Sequence, residues 1–287
     1  MKTFNFLLIP VFVFGMSVLT ASCSLTVTES VSVPSLTGIA EDEIQAALIS
    51  DDIDNELDTY VSDSFLSQYI DSTATTIITI KTAGPTITID KPDTLYPKTF
   101  TLDYGTTGTT LANGNIVKGK IIAFVNTDMK LNNSIRKISL VDFSENGDSI
   151  KGSKTITYMR NNLLQLPYWS INVKDTVTRP DGSKIFWNSK RQRVLSGNNN
   201  TPLIYSDDIY SISGTSEGVS ANGTPFGLEI RNNYPLVIGG NWPFYIRGIT
   251  SLTIKNGNIA IDYGNGTKDK TATVIVNGQT SSYTFQY

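Results

Sequence analysis

Imidazole is absent from the 287-residue chain, and one thiol, Cys23, is present. Those two facts remove most side-chain chemistry at once. Zinc sites built from Cys and His, Cys-His pairs and Ser-His-Asp triads all need groups this chain lacks. No disulfide can form within it, and no cofactor is expected. What remains is the chemistry of carboxylates, amides, lysine, arginine and aromatic rings. Asp52-Ile-Asp54-Asn-Glu56-Leu-Asp58 crowds acids as a calcium loop does. Leu57, however, stands where an EF-hand turn requires glycine, so the run reads as a solvated acidic helix face. Asp262 and Asp269 flank a Gly-Asn-Gly turn and form a calcium candidate, set against a plain hairpin whose turn demands those same residues. Ser134-Ile-Arg-Lys137 has the Ser-x-x-Lys spacing of penicillin-binding enzymes, but it enters a strand and lacks the companion elements. A glycosidase would need two carboxylates flanking a sugar bond, a pairing that a linear sequence does not reveal.

Binding chemistry is better represented. Alternation along a strand from Lys184 to Val194 puts Ile185, Trp187, Arg191 and Arg193 on one face. Trp beside Arg can stack on a sugar or dock against a partner. Trp169 and Trp242 are further candidates for such a surface; core packing is the alternative for each tryptophan. Nucleic acid is not an expected partner, because basic residues are scattered and the net charge is −3.

The elements that must carry these residues are mostly strands. From Thr73 onward β-branched and aromatic residues alternate with polar ones, as in Thr86 to Ile89, Thr99 to Tyr104, Ile116 to Val125 and Trp169 to Val177. Asn113-Gly114, Asn146-Gly147, Pro180-Asp-Gly182, Asn222-Gly223, Asn256-Gly257 and Asn277-Gly278 mark turns between them. The pattern predicts an all-β protein of antiparallel, sandwich-like modules. Strands this short, many with Thr or Lys on the outer face, do not suit a transmembrane barrel. Phe100-Thr-Leu-Asp-Tyr-Gly105 echoes in Ile259-Ala-Ile-Asp-Tyr-Gly264, which suggests two modules, 73–160 and 161–287. Ahead of them, 37–72 reads as an acidic segment of one or two short amphipathic helices: Thr37 can cap, and Ile44, Ala47, Leu48, Ile53, Leu57, Tyr60 and Val61 fall near helical spacing. Charge is divided unevenly. From Cys23 to Ile80 there are 11 acidic side chains and no Lys or Arg, whereas from Lys81 onward 22 basic face 15 acidic ones.

The first 22 residues have the plan of a secretory leader: Lys2, an apolar run from Phe4 to Val18, then small residues. Leu19-Thr-Ala-Ser-Cys23 resembles the box of bacterial lipoprotein leaders, with the leucine one place earlier than the commonest spacing. The resemblance implies cleavage before Cys23 and lipidation of its sulfur, with palmitate among the chains and 23–36 serving as a tether; ordinary secretory cleavage nearby is the alternative. Several acyl chains, each methylene contributing about 0.8 kcal/mol, would hold the chain stably at a membrane. Ser24-Leu-Thr-Val-Thr before the first acid, Glu29, favours the periplasmic face of the outer membrane over the cell surface.

The second half is similar to a family of uncharacterised Bacteroidota exported lipoproteins. Asp181-Gly182 leading to Trp187, Lys190-Arg191-Gln-Arg193, Ile212-Ser-Gly-Thr215, Asn222-Gly223, Tyr234-Pro-Leu236 and Ile261-Asp-Tyr-Gly-Asn-Gly-Thr267 with Asp269 carry the likeness. Some members place cysteines near Trp242 and Lys268, where this chain has none. The resemblance implies a β-rich envelope lipoprotein and no particular activity. Asp71-Ser72-Thr73, Asp93-Thr94-Leu95, Asp148-Ser149-Ile150 and Asp175-Thr176-Val177 resemble O-glycosylation triplets of that phylum, at Ser72, Thr94, Ser149 and Thr176. Two functions follow as expectations: a non-catalytic lipoprotein with a structural role or a glycan or envelope-protein partner, and, as the alternative, a carboxylate-dependent polysaccharide hydrolase.

Overall fold

One long helix ties the architecture together, and it is not amphipathic. In the computed structural model α1 runs over Val33–Val61, 29 residues, and a short α2 over Asp63–Leu66 follows. The structure describes residues 33–61, 63–69, 77–91, 96–160, 166–197, 208–239, 242–255 and 257–285. Cys23 and the leader therefore lie outside the described residues, as do the candidate sites Ser72 and Thr94. Leu36, Ile39, Ile44, Ile53, Leu57 and Val61 of α1 are buried, but so are Asp42, Glu43, Ser50, Asp52 and Asp54. A helix buried with acids on its flanks must be surrounded by something that answers both kinds of residue.

A single antiparallel sheet does so. It comprises β1 (Ile78–Lys81), β2 (Thr86–Ile89), β3 (Lys98–Asp103), β4 (Thr109–Thr110), β5 (Ile116–Val125), β6 (Ile135–Glu145), β7 (Asp148–Arg160) and β8 (Pro167–Thr178). It continues through β9 (Lys184–Gly197), β10 (Ile209–Val219), β11 (Pro225–Ile230), β12 (Leu236–Gly239), β13 (Trp242–Ile254), β14 (Gly257–Asn265), β15 (Thr271–Val276) and β16 (Gln279–Thr284). Neighbours in space are almost all neighbours in sequence; β4 adds beside β5, and β12 pairs with β10 and β13. Helix α1 touches β5, β9, β13, β14 and β15, so the concave face of the sheet curls around it. Bulges help the sheet to bend. Between Lys118 and Lys120 the β5–β6 register shifts, with Gly119 at φ 80° against the backbone of Asp142, where a Cβ would collide. Hairpins Asn146-Gly147 and Asn277-Gly278 take the left-handed conformations expected of type I′ turns.

The fold is all-β with an N-terminal helix and antiparallel strands, as the sequence pattern implies. Its finer arrangement differs in two respects. The expected junction near Asn161 to Pro167 is bridged by β7 and β8, which pair from Ser149↔Thr178 to Arg160↔Pro167. Residues 31–287 form one compact unit with a common core, in which the second layer over the sheet is the helix rather than another sheet. The helix also begins earlier and runs on through Asp51-Asp52, where the sequence suggests a break. The reason is tertiary: the acids there have partners outside the helix, Asp51 accepting from Tyr245 and Asp52 from Asn115.

Candidate functional site

Strand periodicity brings the functional side chains inward in rows. Tyr158 of β7, Trp169 of β8 and Arg193 of β9 are register partners; one step along lie Ile156, Ile171 and Arg191, and then Lys154, Val173 and Ser189. The cations in these rows meet the acids of α1. Lys154 Nζ donates to the Ser50 carbonyl at 2.8 Å and to Ser50 Oγ at 2.9 Å, and pairs with Asp54 at 2.7 Å. Arg191 reaches Glu43 at 3.1 Å and donates to the Tyr245 hydroxyl at 2.9 Å, which in turn donates to Asp51. Ser216 Oγ also donates to Glu43, at 3.1 Å. Asp58 is shared by Arg136 at 2.7 Å and Arg193 at 3.3 Å. Nearer the helix start, Arg179 bonds Asp42 and Gln45, each at 2.6 Å.

Burial and pairing pull the acids in different directions. Burial raises Glu43 and Asp54, and Arg191 and Lys154 only partly offset it. Asp58 is also pushed up by burial, but its two guanidiniums outweigh that and hold it below the usual carboxylate range. Asp175, buried with Asp54 as a like-charged neighbour and Lys154 as its relief, is pushed up to about 7. Asp52 rises to about 7 from burial and from Asp51 and Glu56, while Glu145 beside it is raised well above its ordinary value by burial and by Asp52. Asn115 Nδ2 donates to both, to Asp52 at 2.8 Å and to Glu145 at 3.0 Å. Burying two adjacent acids together favours a proton held between them.

The structure corrects two readings of the sequence. Trp187, Arg191 and Arg193 do share a face, but it is the inner one: Trp187 is 1% exposed, and the two arginines are buried against helix acids. They form no outer binding surface, because the strand's polar register faces out and its apolar register, arginines included, faces α1. The acidic run Asp52 to Asp58 is likewise no solvated face. Asp54 is fully buried, and Asp52 is nearly so. Trp242 is half-buried and packs edge-on against Phe244, with centroids 5.9 Å apart. Asp262 and Asp269 accept hydrogen bonds within their own turns, from the Gly264 amide at 2.9 Å and from Thr271 N and Oγ1 at 3.0 and 2.8 Å. Ser149 and Thr176 are half-buried positions within β7 and β8. Ser134 is buried and donates to the Met129 carbonyl, whereas Lys137 faces solvent, so Ser-x-x-Lys does not converge.

Trp169 is the tryptophan that the structure places at a cavity. A space of about 430 Å³ opens at the helix's C-terminal end, beside Asp58 and Val61. Tyr158, Trp169 and Tyr210 line it as an aromatic row, Trp169 lying 5.6 Å from each neighbour. The Arg193 guanidinium also lines it, 5.2 Å from the Trp169 ring and 4.8 Å from that of Tyr210. Tyr210 donates to Asp208 at 2.9 Å, and Arg160 Nε donates to the Tyr158 hydroxyl at 3.0 Å. A concave site with an aromatic wall and convergent charged groups suits a small polar ligand that also has an apolar face. Sequence reasoning singled out Trp169 and Arg193, set Asp58 in an acidic run read as solvated, and did not single out Tyr158, Tyr210 or Arg136. The signal available was cations at inward positions of alternating strands, as at Lys154 and Arg193.

Fold and site together define a class: a helix-filled, curled antiparallel sheet with a polar, aromatic-walled cavity at one end. No family model, curated protein or solved structure matches the chain.

Proposed function

We propose that this chain is a non-catalytic envelope lipoprotein, held at the outer membrane through lipid on Cys23, whose folded unit binds a glycan in the cavity beside Trp169. The carrying observation is the cavity itself, where three aromatic rings and the Arg193–Asp58–Arg136 array converge. The hydrolase alternative finds less support. Asp52 and Glu145 do converge, but both are buried, and neither lines the cavity, so no sugar bond can lie between them.

Two measurements test the proposal. Incorporation of labelled palmitate should disappear in Cys23→Ala; equal labelling would sink the anchor. A glycan array run beside a hydrolysis assay on residues 24–287 should show binding without turnover, and turnover lost on Asp208→Asn, at a carboxylate that lines the cavity, would reverse the assignment.

A further inference from the structure

Among the described residues the path of paired strands ends at β1 and β16, and the two edges are not alike. β1 is four residues long and carries exposed Lys81, a charge of the sort that keeps edges apart. β16 (Gln279–Thr284) has no charge and no proline, and its register with β15 runs without a bulge. None of the usual protections of an edge is present there. We infer that β16 is a self-pairing edge, on which a second copy of this chain adds its own β16 antiparallel about a two-fold axis at Ser281.

The direction of the backbone groups is the first argument. Bonded and non-bonded pairs alternate along an antiparallel ladder. The Phe285 amide donates to the Lys270 carbonyl at 2.8 Å, so Tyr283, Ser281 and Gln279 also turn their backbone groups to β15. Thr280 and Ser282 therefore point theirs out of the sheet, where no described residue bonds them. A row of open N–H and C=O groups is a template for another strand.

Self-complementarity is the second, and it favours a copy of this chain over an unrelated strand. With Ser281 on the axis, Thr280 of each copy stands opposite Ser282 of the other, and each such pair exchanges both backbone bonds. An axis one residue further on would need Thr284, which is already engaged. The hydroxyls of Thr280 and Ser282 meet on one face, a pairing that stabilises sheets. On the other face Gln279 meets Tyr283 and Ser281 meets itself, so no like charges are opposed. Gln279 to Ser282 are exposed, and nothing has to be uncovered for the strands to meet. One strand against another is smaller than a standard interface, so the association is weak and reversible.

The test exploits the lack of cysteine after Cys23. In residues 24–287, which contain the whole compact unit, Ser281→Cys supplies the only thiol. On the axis it forms a non-hydrogen-bonded pair, whose Cα atoms lie about 4.5 Å apart and within disulfide reach. Gln279→Cys is also exposed but two residues off the axis, which sets its two copies about 14 Å apart along the strands. Under mild oxidation Ser281→Cys should form a disulfide-linked dimer about tenfold faster than Gln279→Cys. Adding Ser282→Pro deletes an outward donor at an edge, where proline is tolerated, and should slow Ser281→Cys to the rate of Gln279→Cys. Tryptophan fluorescence and circular dichroism check that each variant is folded. Equal rates for the two single variants would mean random collision; they would overturn the proposal and leave the edge to a strand from another protein. A rate unchanged by Ser282→Pro would overturn it as well, because the link would then not depend on the ladder.

Discussion

Replacing Lys154 with methionine removes the cation on which the middle of the helix depends. Its side chain is 4% exposed, and that of Asp54 1%, so nothing from solvent can substitute. Lys154→Met keeps most of the volume but deletes two hydrogen bonds to Ser50 and the pair with Asp54, and leaves Asp54 and Asp175 buried without their shared cation. Stranding one partner of a buried pair costs about 3–5 kcal/mol, because an uncompensated charge is left behind. The sign of its pH dependence follows. Both acids already sit above their ordinary values, and losing Lys154 raises them further. A group raised in the folded state contributes stability that is complete below its unfolded pKa and lost as pH rises through its folded pKa. The variant's deficit relative to the parent should therefore be largest near pH 8 and shrink towards pH 4–5. Urea unfolding of residues 24–287, followed by tryptophan fluorescence at both pH values, measures it. Lys154→Met/Asp54→Leu should recover much of the loss, since an apolar pair of similar size often equals a buried ion pair. A loss under about 1 kcal/mol, equal at pH 5 and pH 8, would refute the claim that helix and sheet are joined by desolvated ion pairs.

Three further outcomes follow from the same structure. The parent protein should itself lose stability between about pH 4 and pH 7, by ~1.4 kcal/mol per pH unit for each raised acid while it titrates. Asp52 and Asp175, both at about 7, titrate within that window, and a higher urea midpoint at pH 8 than at pH 5 would contradict the expectation. Trp187→Ala should cost ~3–5 kcal/mol in equilibrium unfolding, as expected for a fully buried indole and not for an exposed binding platform. Gly214→Val should separate β10 from β9, because φ is 131° and a Cβ would run into the Lys190 backbone; circular dichroism would show loss of strand signal or a lower melting temperature.

What could be read from the sequence was period and sign; what could not was which side faced in. Alternation in Lys184 to Val194 correctly groups Trp187, Arg191 and Arg193, but period two is symmetric between the faces of a sheet. Hydropathy then misleads, because arginine on a strand is ordinarily outside. The resolving fact is spread over distant parts of the chain. The segment from Cys23 to Ile80 has 11 acids and no base, while the part from Lys81 onward carries the surplus of cations. Had the two been self-sufficient, each would repel itself: an acid-only helix lacks the i,i+4 partners that support an exposed helix, and inward cations would be unanswered. Neither imbalance is stable alone, and together they cancel, pair by pair, at Arg179–Asp42, Arg191–Glu43, Lys154–Asp54 and Arg136–Asp58. One pair departs from simple cancellation. At Asp58 the helix supplies one carboxylate to two arginines, at the point where the wall opens into the cavity.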